Sequence, residues 1–331
     1  MKKIILINFF IVAIIIITLE LIVRFFNIVG LQGYEKNAFY SENGITLSKP
    51  NNSFKVFGIK SQTDINGFRI PVDNYVYNDK KNSILILGDS VVYGVGVKEK
   101  DSFIGLSRNN FKKKNLYNSA IFGYNIESYL YILKKNYKKF NNEIDKVIIF
   151  LGLNDIVAHQ GVVFKKKSIN SIENDNFKKN IFKNTFTLKL NVYLRERSAL
   201  FVLLKGLLTN PVERHFDYLN ILYDGEKNLI EFKNNVREIS DFMKKNNLKY
   251  NYILLPYAHQ IINNCEKELL EPQEIINKIF SEENLLLKDY TSEFCKISNK
   301  KDLFLKYDPV HLSKYGHKHV SDLLIADQVF N

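Results

Sequence analysis

Four short stretches of this 331-residue chain carry residues that could do chemistry together. Gly88-Asp89-Ser90 ends the apolar run Ile84 to Leu87. The others are Gly123 within NSAIFGYN, Asn154 and Asp155 within GLND, and Asp308 and His311 within DPVHLSKYGH. A serine hydroxyl is a poor nucleophile until a base takes its proton, and histidine titrates in the right range for that task. Asp308 stands three residues before His311 across a proline. Its carboxylate can accept the other imidazole N–H, fix the tautomer and stabilise the imidazolium. A carbonyl under attack gathers negative charge on its oxygen. The backbone N–H groups of Ser90 and Gly123 and the side-chain amide of Asn154 could supply three donors to that oxyanion hole. A glycine at 123 also lets the backbone approach a substrate with no side chain in the way. Taken singly, each piece has a plainer reading: Gly123 as a turn, Asn154-Asp155 as a helix cap, Asp308-Pro309 as a loop start, His311 as a cap. Their joint occurrence, in order and each beside the appropriate element, favours acyl transfer through a serine ester. Asp89 reads as a turn and hydrogen-bonding residue and Asp155 as a structural cap. His159, His215, His259, His317 and His319 read as surface or packing residues.

Residues so far apart meet only if the elements before them end at one place. Ile84 to Leu87 has the length and branched content of a buried strand, and Lys146 to Leu151 reads as a central parallel strand buried on both faces. Asn115–Asn118, Tyr250–Leu255 and Leu285–Lys288 complete five strands. Helical patterns over Asp101–Lys113, Asn125–Phe140, Asn228–Lys245, Gln273–Phe280 and Ser313–Val329 alternate with them. Such alternation predicts an α/β fold with a mainly parallel, doubly wound five-stranded sheet, whose strand ends form one crevice. About Val157 to Gly225 breaks the rhythm with a lysine run, Lys165 to Lys167, an asparagine-rich stretch and an amphipathic segment Ser198 to Leu208, and reads as an insertion or lid. Residues 31–82 read as a connector with a short extended piece turning at Asn66-Gly67.

The amino terminus points to a membrane. Ile4 to Leu19 is almost wholly apolar, with Lys2 and Lys3 before it and Glu20 and Arg24 after it on one helical face. Residues 1–30 are thus expected to form one transmembrane helix, uncleaved because no small-x-small site follows. The lysines place the amino terminus inside, so the rest of the chain is expected on the outer side of the cytoplasmic membrane. A formal charge of +12 invites nucleic acid, but the lysines are scattered among aromatics and no zinc-finger spacing, RNP-like strand or basic arm is present. An anionic surface polymer or lipid headgroups suit that charge better. Cys265 and Cys295 form no CxxC pair, so no metal is expected; outside the cytoplasm they could form one disulfide, and two buried thiols are the other reading.

The blocks ILGDS, the Gly123 turn, GLND and DPVH together resemble the SGNH (GDSL-type) hydrolase family over about Ser83 to Leu324. The resemblance implies a flavodoxin-like three-layer α/β/α sandwich and serine-based acyl chemistry without a cofactor. By the family pattern Ser90 is nucleophile, His311 base, Asp308 its orienter, and Ser90, Gly123 and Asn154 line the oxyanion hole. Val91 follows the serine where the family often has Phe or Leu. The NGFR segment and the anchor ending in LELIVRFF also resemble a membrane-anchored bacterial subgroup. The expected function is an esterase removing O-acyl groups, O-acetyl foremost, from a cell-envelope glycan or related ester, with envelope polysaccharide machinery as an expected partner. An O-acyltransferase with the same site, or an idle anchored binding protein, are the alternatives.

Overall fold

A computed structural model describes residues 2–72, 75–77, 83–140, 143–157 and 185–331. The chain opens with helix α1 (Lys2–Phe25), about 36 Å long at 1.5 Å per residue, whose apolar side chains from Ile4 to Ile22 are almost all exposed. It is long and apolar enough to cross a membrane. A hairpin of β1 (Phe39–Glu42) and β2 (Ile45–Ser48) forms a separate two-stranded sheet, and β3 (Ser53–Val56), β4 (Ile59–Thr63) and β5 (Arg69–Ile70) follow. Next come β6 (Ser83–Leu87), the one-turn helix α2 (Ser90–Tyr93), α3 (Phe103–Asn110), β7 (Asn115–Asn118), α4 (Ile126–Lys139) and β8 (Ile144–Leu151). Between 157 and 225 the alternation is broken, among the described residues, by the successive helices α5 (Thr185–Arg197), α6 (Ala199–Thr209) and α7 (Pro211–Tyr223). The Lys165–Lys167 run, the asparagine-rich stretch and His159 lie outside the described residues. Alternation resumes with α8 (Glu226–Lys245), β9 (Lys249–Leu254), α9 (Ala258–Ile262), α10 (Glu271–Glu282), β10 (Leu287–Asp289), α11 (Thr291–Cys295) and α12 (Lys314–Ala326).

Strands β10, β9, β8, β6 and β7 lie side by side in that order and pair in parallel, as the alternation requires. Every side chain of β6 is buried, and the period of two divides them between two cores. Leu85 and Leu87 pack with residues of α4, α8 and α10, while Ile84 and Ile86 pack with α2, α3 and α12. The result is the expected three-layer α/β/α sandwich. Strand order reverses between β6 and β8, and in such sheets the crevice at the carboxyl ends of the strands flanking that point receives the ligand.

The sequence reading expects a connector over 31–82, yet the described part of it extends the sheet. β5, β4 and β3 add antiparallel strands beyond β7, giving eight in all. These strands are two to five residues long and mix exposed with buried positions, so they carry no apolar run to announce them. The turn at Asn66-Gly67 is held by Asp64, whose carboxylate accepts the N–H groups of Asn66 and Phe68, each at 2.8 Å. Cys265 and Cys295 form a disulfide joining residues 30 apart in sequence, which decides between the two readings of the cysteines.

Arg69, on β5, is fully buried, and its guanidinium donates to the carbonyls of Tyr93, Gly94 (2.7 Å) and Val97 (2.7 Å). Gly94 lies in the left-handed region at φ +83°, and a Cβ there would meet Arg69 Nη1 at 2.7 Å, so the turn admits only glycine. Arg69→Met is expected to lower unfolding free energy by about 3 kcal/mol or more, because three buried carbonyls lose their donor. Chemical denaturation checks this. Arg69→Lys should recover only part of the loss, since one ammonium cannot reproduce the planar fork.

Candidate active site

Ser90 sits where β6 gives way to α2. Asp89 caps that helix by accepting the N–H of Val91 at 2.8 Å, which sets the first turn and fixes the serine's direction. Ser90 Oγ lies 2.9 Å from His311 Nε2, and His311 Nδ1 lies 2.8 Å from Asp308 Oδ2. The other Asp308 oxygen accepts the N–H groups of Val310 (3.0 Å) and His311 (2.8 Å), so the proline-containing loop folds around the carboxylate. With Asp308 accepting at Nδ1, the imidazole presents its lone pair to Ser90, the tautomer a general base needs.

Burial alone would push the Asp308 carboxyl up, but the adjacent His311 and the two backbone N–H groups hold it below its usual range. For His311 burial works downward, and the charge and hydrogen bond of Asp308, with Asp89 further off, outweigh it and raise the imidazole above its ordinary value. Asp89 is buried and pushed up by desolvation. Asp155 is pushed well up, first by burial and then by Asp89. It accepts the Gly152 N–H at 2.8 Å and two contacts from the Tyr129 hydroxyl at 3.0 Å, which fixes the turn after β8.

That turn carries Asn154. The Tyr257 hydroxyl donates to Asn154 Oδ1 and accepts the Asn154 backbone N–H at 3.2 Å. With its carbonyl oxygen occupied, the amide is oriented with its NH2 as the remaining donor, and that side chain also interacts with Asp89. The Gly123 loop follows β7 and lies against the end of β6: Ser119 N and Oγ donate to the Ile86 carbonyl at 3.1 and 2.8 Å, and Ile121 N to that of Gly88 at 3.4 Å. Gly123 itself is exposed at φ +72°, a conformation that favours glycine. The structure thus brings Ser90, His311 and Asp308 into direct contact and sets the turns of Gly123 and Asn154 at the ends of neighbouring strands.

Several neighbours of the site escape sequence reasoning. Tyr257 follows a fourth strand end, just past Pro256, and that position was its only signal. Phe57, at the tip of the β3–β4 hairpin, sets its ring edge-on to His311 with centroids 5.3 Å apart. His215 of α7, read as a surface or packing residue, stacks on Tyr257 at 5.9 Å and feels the charges of Asp308 and His311. Arg195 of α5 interacts electrostatically with Asp308 and, with Arg214, with Lys205, whose amine is pushed down to about 8, by burial first. His317 and His319 do pack: His317 is fully buried against Phe103 and pushed down to about 3 by burial, and His319 lies edge-on to Phe294. His259 lies 5.1 Å from the Phe216 ring. Among the described residues no cluster of His, Cys, Asp and Glu could hold a metal ion.

No protein-family model and no curated protein matches the chain. Solved structures similar to it include the acetyl xylan esterase AlAXEase, at 16% identity and TM-score 0.44 over 74% of this chain and 98% of that one. The lipase/acylhydrolase from Enterococcus faecalis matches at 12% and 0.43 over 74% and 94%, and the psychrotrophic esterase EstA from Pseudoalteromonas sp. at 16% and 0.41 over 76% and 100%.

A base must be neutral to act, so the acid limb of kcat/KM for an ester should lie above the ordinary histidine value of 6.5, with activity lost as pH falls through it. Asp308→Asn should move that limb to lower pH and cut kcat by roughly 10⁴-fold; a pH–rate profile of both proteins checks the pair. Asn154→Ala should lower kcat by about 10²-fold with little change in KM. Tyr257→Phe should give a smaller loss of the same kind, read in steady-state kinetics, because it acts only through the orientation of Asn154.

Proposed function

We propose that this chain is a serine ester hydrolase of the SGNH type, tethered to a membrane by α1. The observation that carries the reading is the continuous path from Ser90 Oγ through His311 to Asp308, with bonds of 2.9 and 2.8 Å, at the switch point of a parallel sheet. Ser90 Oγ attacks the ester carbonyl carbon while His311 Nε2 takes its proton. The oxyanion is held by the N–H groups of Ser90 and Gly123 and the Asn154 amide. Collapse expels the alcohol, which leaves with the proton from His311, and Ser90 keeps the acyl group. His311 then deprotonates a water that attacks this acyl-enzyme and frees the acid and Ser90.

The substrate we infer is an O-acylated, anionic glycan of the cell envelope. Arg195, on the inserted helix α5, acts electrostatically on Asp308 and His311, and Arg214 and Lys205 of the same insertion lie close enough to interact with it. Such a group of cations favours a negatively charged substrate. For the location, the exposed apolar side chains of α1 support a single-pass anchor, and Lys2 and Lys3 support an inner amino terminus. The Cys265–Cys295 disulfide supports an oxidising compartment outside the cytoplasm.

A fluorophosphonate probe should label the folded chain at one site and leave Ser90→Ala unlabelled, as read by mass spectrometry of the modified peptide. A short-chain aryl ester should be turned over by the first protein and not the second. Absence of labelling would make the domain a non-catalytic binding protein. If an added glycan takes the acyl group in preference to water, the enzyme is an O-acyltransferase, since the two reactions share every residue named and differ in the acceptor.

A further inference from the structure

The end of α1 does not lead into a free linker. Glu20, one turn and a half before the end of the helix, accepts the N–H groups of Ala199 (2.9 Å) and Leu200 (2.8 Å) and the hydroxyl of Ser198 (2.8 Å). Its carboxylate therefore caps α6, and Arg24, paired with Glu20, donates to the carbonyl of Arg197. Val23, Val29, Ala199, Leu200 and Val202 bury one another in a small core of their own. The chain beyond is fixed as well. Gln32 N donates to the Arg195 carbonyl at 2.9 Å, Arg195 Nε donates to Gln32 Oε1 at 2.9 Å, and Tyr34 forms an antiparallel bridge with Val56.

Helix α6 has two faces. Gly206 is buried so closely against Tyr307 that a Cβ would come within 2.3 Å of its ring, and Tyr307 directly precedes Asp308. Leu200, Leu204, Leu207 and Leu208 recur at the spacing of a single opposite stripe. Leu200 is covered where α1 crosses it, but Leu204, Leu207 and Leu208 are 48, 62 and 83% exposed. Helix α5, packed beside α6, adds exposed Leu188, Leu190 and Tyr193. The stripe thus begins where α1 packs on Leu200 and continues uncovered from it, and Lys189, Tyr193 and Arg197 of the adjoining α5 are exposed as well. Leucine with tyrosine and basic residues is the composition of an interfacial helix.

We propose that the leucine stripe of α6 rests in the interfacial layer of the same bilayer that holds α1, seating the Ser90 site at the membrane surface. This rests on the reading of α1 as an anchor. The bilayer is the occupant because the stripe is continuous with the surface that α1 already offers to lipid.

The chain contains no tryptophan, so single-tryptophan variants report without background. The full chain is reconstituted in phosphatidylcholine vesicles with or without brominated acyl chains. Leu207→Trp and Leu208→Trp are expected to lose about half their emission in brominated lipid, as for a side chain at the headgroup–acyl boundary. Leu286→Trp, beside β10 at the far edge of the sheet, should keep its emission. Phe10→Trp reports the anchor. If Phe10→Trp is quenched while both α6 variants are not, the proposal is overturned and the anchor stands. In that case acrylamide quenching of Leu207→Trp shows a stripe left in water, and protection from acrylamide shows one covered by protein, a second copy or a partner. If Phe10→Trp is unquenched too, the anchor reading and the proposal fall together.

Discussion

The position of the nucleophile depends on a helix too short to hold itself. Four residues make a single turn, which cannot offset the entropy of nucleation. Its start is fixed by the Asp89 cap and its end by Arg69, which binds the carbonyls of Tyr93, Gly94 and Val97 and lays its guanidinium over the Tyr93 ring at 4.7 Å. A buried guanidinium is tolerable only when its donors are used, and carbonyl groups left bare by the end of a helix are suitable partners. Arg108 extends the arrangement. It pairs with buried Glu99 and donates to the carbonyls of Arg69 (3.1 Å) and Leu116 (2.8 Å), joining β5 and β7 behind the site.

Around Ser90 the charges are arranged so that one carboxylate carries the work. Asp308, Asp89 and Asp155 are all buried. Only Asp308 has an imidazole and two backbone donors turned toward it, and only its carboxyl is held below the ordinary range. Desolvation pushes the other two upward, and Asp89 raises Asp155 further. The Asp308 carboxylate is thus the acceptor placed directly behind His311, with the Asp89 charge adding to its effect on the imidazole, while Asp89 and Asp155 accept the backbone N–H groups that hold two turns in shape.

Elements that repeat were legible in the sequence, and contacts between distant side chains were not. β6, β7, β8 and β9 appear within two residues of their expected ends, and β6 and β8 carry the continuous apolar run that a strand buried on both faces needs. The four polar turns stood out because each followed such a run or preceded a helix. By contrast β3, β4 and β5 are only two to five residues long, and the alternation in β3 spans just four residues, so a region that sets Phe57 against His311 read as a connector. Arg69 stood out only as part of the NGFR segment, since the carbonyls it binds lie more than twenty residues away. Tyr257 was missed for the same reason, since its role comes from bonding Asn154, and His215, read as a surface or packing residue, packs on Tyr257.

The inserted helices and the edge strands meet the site from opposite ends of the chain, and the segment after α1 joins them. Phe57 N donates to the Gly33 carbonyl at 2.6 Å, so the hairpin tip over His311 is tied to the chain as it leaves the helix. A Cβ on Gly33 would fall 2.2 Å from the side chain of Glu196, so that segment is pressed against α5 as well. A flexible tether of comparable length would let the catalytic domain sample many orientations, and the effective concentration of any surface-bound substrate would fall with the volume explored. Here the tether is packed against the strand that carries Phe57 and the helix that carries Arg195. Whatever orients α1 therefore also orients the face that carries Ser90, since the segment after the helix is bonded to the hairpin tip beside His311 and pressed against α5.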